Sequence, residues 1–155
     1  MSILDPIKKV AADFILERPF RNKDFSQLAE KLTLSGQILE DRIRRARDTD
    51  RNRGILSHII GIERWGQARL RVFLGEPFTL DEYDGYRPSQ DATWDELAQA
   101  FRATRAQTVA LIRELAAREP EPGARVLHNQ FGPLTARGWL RYLDFHANAE
   151  SKKFR

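Results

Sequence analysis

The sequence predicts an all-α protein: a four-helix bundle with a short helix in front of it. Three observations carry this. Apolar residues recur at spacings of three and four along four long segments. Glycine and proline are sparse and cluster between those segments. No stretch alternates apolar with polar residues in the manner of a half-buried strand. The 155 residues suit one domain, 1–155, with one core.

The leading helix falls over 5–17. Asp5 suits the cap and Pro6 the first helical position. Ile7, Val10, Ala11 and Phe14 then make one apolar stripe, and Arg18-Pro19 ends the helix. The first long helix, 24–47, places Leu28, Leu32, Leu39 and Ile43 on one side, interrupted by Gly36. The run from Asp48 to Asn52 is a turn. The second long helix, 53–74, buries Ile55, Ile59, Ile62, Trp65, Leu70 and Phe73, with Gly75 as its C-terminal stop and Pro77 beyond.

A long connection, 75–92, follows. Such length is uncommon in compact domains and permits a crossover between the second and third long helices. The third, 94–118, opens on a T-x-x-E capping box, Thr93 and Glu96. The last, 136–154, takes Thr135 as its cap and turns Trp139, Tyr142, Leu143, His146, Ala149, Glu150 and Phe154 inward.

Charge and composition narrow the function. The formal charge is +4, and the stretch 41–53 holds six arginines against three aspartates. The interleaved acids and the lack of aromatics there predict a solvated helix end rather than a nucleic-acid surface. The start of the chain is broken by Asp5, Pro6, Lys8 and Lys9, far short of the ~20 apolar residues of a membrane span. A cytoplasmic protein without membrane or nucleic-acid partners is the expectation. There is no cysteine, so disulfides and thiolate ligands are excluded, and any thiol chemistry needs a small-molecule thiol. A phosphate-cradling glycine loop, H-E-x-x-H, G-x-S-x-G and an EF-hand loop are all missing.

What remains is the placement of the histidines, of which the chain has three. His58 shares the apolar face of the second long helix with Ile55, Ile62 and Trp65. His146 lies seven residues after Trp139, and Glu150 follows four later. That spacing sets imidazole and carboxylate on one face, about 5–6 Å apart at Cβ. A carboxylate on a core face demands a cation. Two histidines and one carboxylate form an open site for Zn²⁺, Fe²⁺ or Ni²⁺. His58, His146 and Glu150 are therefore the candidate metal ligands; a hydrogen-bonded core histidine and a surface His–Glu pair are the plainer alternative.

Other groups rank behind them. His128, in the loop before the last helix, could reach the site mouth as an acid–base group, although a loop histidine is expected to be solvated. Glu63 stands roughly 140° around the helix from His58 and reads as a surface acid. Trp65, Trp94 and Trp139 read as core. Asp81, Glu82, Tyr83, Asp84 and Tyr86 read as a solvated acidic turn.

The runs ILSHIIGIERWGQARL (55–70), DEYDGY (81–86) and HNQFGPLTARGWLRYLDFHANAE (128–150), with the helix plan, resemble the DinB-like superfamily. That group includes the thiol-dependent maleylpyruvate isomerases and bacillithiol transferases. The resemblance covers roughly residues 50–155. It implies a four-helix bundle with a long crossover and a metal triad of one histidine on the second helix and His-x-x-x-His on the fourth. Here the matching positions are His58, His146 and Glu150, so a glutamate stands where the second histidine usually does. The tryptophan–serine run common before the first histidine is replaced by Arg53-Gly54-Ile55.

The resemblance favours a metal-dependent enzyme acting on a small-molecule substrate by hydrolysis, or by thiol transfer or isomerisation with a low-molecular-weight thiol as cofactor. The alternative is a non-catalytic binding bundle with a degenerate metal site. A homodimer paired through helix faces is the expected assembly.

Overall fold

The computed structural model describes residues 4–155, with side chains from residue 6 onward. The cap expected of Asp5 therefore lies outside the described side chains. The order is α1 (Leu4–Ala12), α2 (Phe25–Arg45), α3 (Asp50–Phe73), α4 (Trp94–Arg118), a hairpin of β1 (Val126–His128) and β2 (Gly132–Leu134), and α5 (Ala136–Ser151). The all-α class holds. None of the described helices is long and apolar enough to cross a membrane.

The helix ends follow local chemistry. Asp24 caps α2 by accepting from the Gln27 N–H at 2.7 Å, and the Gln27 side chain accepts from the Asp24 N–H at 3.1 Å. Thr49 accepts from the Asn52 N–H at 3.1 Å, so α3 begins three residues earlier than its apolar stripe suggests. Gly75, with φ +102°, ends α3 in the left-handed region that glycine tolerates. The capping box of Thr93 and Glu96 is closed from both sides. Thr135 accepts from the Gly138 N–H at 3.0 Å to start α5.

α2 and α3 each pack against both α4 and α5. Buried residues form two apolar clusters. One gathers Trp65, Leu70, Ile112, Trp139 and Leu143, and the other Ile59, Ile60, Leu97, Phe101 and Ala147. Between these along α3 and α4 lies a polar layer. Arg105 donates to Glu63 through Nε at 2.7 Å and Nη2 at 2.9 Å, and Thr108 donates to Glu63 at 2.8 Å. Glu63 is only 1% exposed, so it is a buried ion-pair partner and not the surface acid expected of it. Its fork-to-fork partner comes from another helix, which a period count along α3 does not see. Gly36 explains itself here: a Cβ would sit 2.8 Å from Arg105 Cγ, so the glycine gives that side chain its path.

The leading segment departs from its expected stripe. Ile7, Val10 and Phe14 are 66%, 71% and 66% exposed, while Ala12, Leu16 and Phe20 are buried. After α1 the chain takes one wide π-helical turn (Asp13–Glu17) and one tight 3₁₀ turn (Arg18–Phe20). The segment is rotated by its anchor. The Glu17 carboxylate accepts from the Thr135 N–H at 2.9 Å and the Thr135 hydroxyl at 2.6 Å, fixing the turn to the start of α5. The hairpin also departs from the strand-free expectation. Its strands, at three residues each, are too short to show a period.

Candidate metal centre

α3 carries His58 and α5 carries His146 and Glu150, and the packing of α3 on α5 brings them together. The two imidazoles face each other through Nε2 atoms 3.0 Å apart. One donor atom from each of His58, His146 and Glu150 lies within 4.8 Å of the other two. Each group is half-buried. The edge of Tyr83 packs on the His58 ring at 4.9 Å between centroids, and Tyr142 flanks His146 at 5.8 Å.

The electrostatics suit ligation. Burial pushes His146 down to about 4, with His58 adding to that and Glu150 opposing it. Burial likewise lowers His58, against the pull of Glu150. Both rings are thus neutral at pH 7, the form that presents a lone pair to a metal. Burial raises the Glu150 carboxyl, but its hydrogen bond to Lys153 and the charges of Lys153 and the imidazoles outweigh burial and leave it below its ordinary range. Burial, helped by Tyr83 and Glu150, raises the Tyr142 phenol, which keeps its proton.

The spacing of the two histidine nitrogens fits a divalent ion. Two bonds of ~2.0–2.1 Å at a tetrahedral angle hold nitrogens about 3.3 Å apart, close to the spacing found. Metal-binding histidines usually give their other N–H to an acceptor, whereas His146 Nδ1 is buried without a partner. Glu150 also has a cation already: Lys153 Nζ reaches its carboxylate at 2.7 Å. The demand for a counter-charge at this position is met in part by that lysine.

His128 does not join this donor group. It stands on β1, is 2% exposed, and contacts Trp65, Trp139, Phe131 and Tyr142. Its Nδ1 accepts from the Gln130 and Phe131 N–H groups at 3.1 and 3.2 Å, and its Nε2 has no partner. Burial, then Arg69 and His146, push it down to about 3. The expected solvated loop histidine is instead a neutral ring that pins the hairpin turn. A short strand, too brief to recognise, buries it.

The 75–92 connection is likewise less solvated than expected. Asp81 accepts from Trp65 Nε1 at 3.1 Å and the Tyr86 hydroxyl at 2.6 Å and pairs with buried Arg69. Tyr83, two residues after Asp81, packs beside His58. Only Tyr83's place in an aromatic-rich loop after the histidine helix hinted at the role. Trp65 and Trp139 are core, as expected, while Trp94 is only half-buried.

Two openings lie on α3 and α5, the helices that carry the donors. A polar cleft of about 570 Å³ is lined by Ser57, the neighbour of His58 in sequence, and by Asp84 and Arg87 among others. A more apolar cavity of about 270 Å³ reaches His146 and Glu150. A sequence model of the DinB superfamily matches residues 52–149, which contain both histidines and more than half of the chain. No curated protein and no solved structure matches.

Proposed function

We propose, since this chain belongs to the DinB superfamily, that His58, His146 and Glu150 hold a divalent metal at the reaction centre of a small-molecule enzyme. On this reading the four long helices are the family's bundle, with residues 74–93 as its long crossover, and the whole chain is one domain. The observation that carries the reading is the convergence of three donors from two helices within 4.8 Å.

The bound ion would supply a Lewis acid that lowers the pKa of a coordinated water or thiol at neutral pH. The chain's own residues prepare the place. Burial keeps both imidazoles unprotonated. Glu150 brings the one negative charge of the set and offsets part of the ion's charge. Tyr83 and Tyr142 fix the ring planes and limit water at the donors. With no cysteine in the chain, transfer or isomerisation through sulfur would require a low-molecular-weight thiol, whereas hydrolysis would need only water.

The ion pair of Glu150 with Lys153 favours a second reading, a non-catalytic bundle that binds a ligand at a weakened site. Turnover separates the two. Protein loaded with Zn²⁺, Ni²⁺ or Fe²⁺ is assayed for thiol addition, isomerisation and hydrolysis on small electrophiles, beside His58→Ala. Metal-dependent turnover lost in the variant supports the enzyme. Bound metal with no turnover across the panel supports the second reading.

A further inference from the structure

Of the two openings, the smaller touches the proposed donors, because His146 and Glu150 form part of its lining. Its other walls come from three places. Ala11 and Ile15 project from the leading segment, Phe131 from the hairpin turn, and Tyr142, Phe145 and Ala149 from α5. Among the described residues no lysine or arginine lines it, in contrast to the polar cleft, where Arg53 and Arg87 do. Lys153, which touches Glu150, is occupied by that carboxylate.

We infer that this cavity binds the non-reacting part of the substrate and that this part is a compact, uncharged, apolar or single-ring group. The inference rests on the metal-centre reading for the word substrate. Its physical basis is separate. A carboxylate or phosphate on this part of the substrate, away from the donors, would lose its hydration with no lysine or arginine in the lining to compensate. A flat apolar group instead meets three aromatic side chains and alanine. At about 270 Å³ the cavity lies just below the usual ~300–1,000 Å³ range of ligand sites, which sets the size at about one ring. A polar head on that ring would then face His146 and Glu150.

The wall opposite α5 is built for the purpose by contacts already described. Glu17 ties the turn after α1 to Thr135. His128 holds the Gln130 and Phe131 amides. Of the stripe expected to pack α1 into the core, Ile7, Val10 and Phe14 are exposed, while Ala11, with Ile15, faces the cavity.

The test is an NMR titration of the protein with benzyl alcohol, a neutral single ring, and with fumarate, a compact dianion. It is repeated on Ala11→Trp, which fills the cavity from one wall, and on Gln130→Trp, a lining residue of the hairpin turn, which fills it from another should the first variant fold poorly. Benzyl alcohol is expected to shift resonances of Ala11, Ile15, Phe131 and Ala149 in the wild type. Its affinity should fall by about tenfold or more in either folded variant, and fumarate should leave these residues unmoved. Benzyl alcohol that shifts none of them, that binds both folded variants as well as the wild type, or that is matched there by fumarate overturns the inference. A parallel Zn²⁺ titration keeps the two readings apart. Zn²⁺ bound at the triad with no benzyl alcohol in the cavity removes the inference alone. Benzyl alcohol in the cavity with no Zn²⁺ bound removes the metal centre and leaves the cavity's preference standing.

Discussion

Replacing Glu63 with glutamine strands Arg105, whose guanidinium is joined to that carboxylate by two bonds at 3% exposure. Breaking one side of a buried pair costs about 3–5 kcal/mol. Urea unfolding of Glu63→Gln should show a loss of that order with the helical signal of the native state retained. A loss under about 1 kcal/mol would mean that water reaches the pair. His128 gives a pH-dependent counterpart. Its folded-state pKa of about 3 lies below its ordinary 6.5. As pH falls below 6.5 the unfolded chain takes up a proton that the folded ring refuses, so stability is full above that pH and declines toward pH 3. The share lost between pH 7 and pH 5 is about 2 kcal/mol. The drop in unfolding free energy over that interval should therefore shrink by about this amount in His128→Gln. Neither group was legible as buried from the sequence. The burial of Glu63 depends on an arginine forty-two residues away, and that of His128 on a strand of three residues. His58, His146 and Glu150 were legible because helical spacing fixes their faces. The lysine three residues beyond Glu150 carries equally local information, and its ion pair follows from the same spacing.

At the scale of elements, the site depends on how closely α3 approaches α5. Gly66 sets that approach: a Cβ there would stand 2.5 Å from Leu143 Cδ2, three residues before His146. Gly66→Ala gains roughly 1 kcal/mol of helix propensity but must displace a fully buried leucine, at about 1–3 kcal/mol. The variant should be less stable by up to about 2 kcal/mol and bind metal more weakly than the wild type, with its donors left in place. Unchanged metal affinity at lowered stability would show that the donors do not feel the helix spacing. The long helices were legible because their caps are local: the Thr93–Glu96 box, Thr135 and Gly75 all act within one turn of the ends they mark. The leading segment was misread because it holds two apolar stripes. The choice between Ile7–Val10–Phe14 and Ala12–Leu16–Phe20 is made by Glu17 reaching Thr135, a contact across more than a hundred residues.

Across the whole molecule, two apolar clusters and the polar layer between them hold four helices so that α3 and α5 present their donors to one another. Metal binding at that point is the claim on which the functional reading stands. It is tested most directly by titrating metal-free protein with Zn²⁺ against a chromophoric chelator, for the wild type and for His58→Ala, His146→Ala and Glu150→Ala. One ion per wild-type chain is predicted, with affinity reduced at least about 100-fold in each histidine variant, more than loss of an outer contact produces, and by about tenfold in Glu150→Ala. A wild-type chain that binds no ion, or variants that all bind as the wild type does, would contradict it.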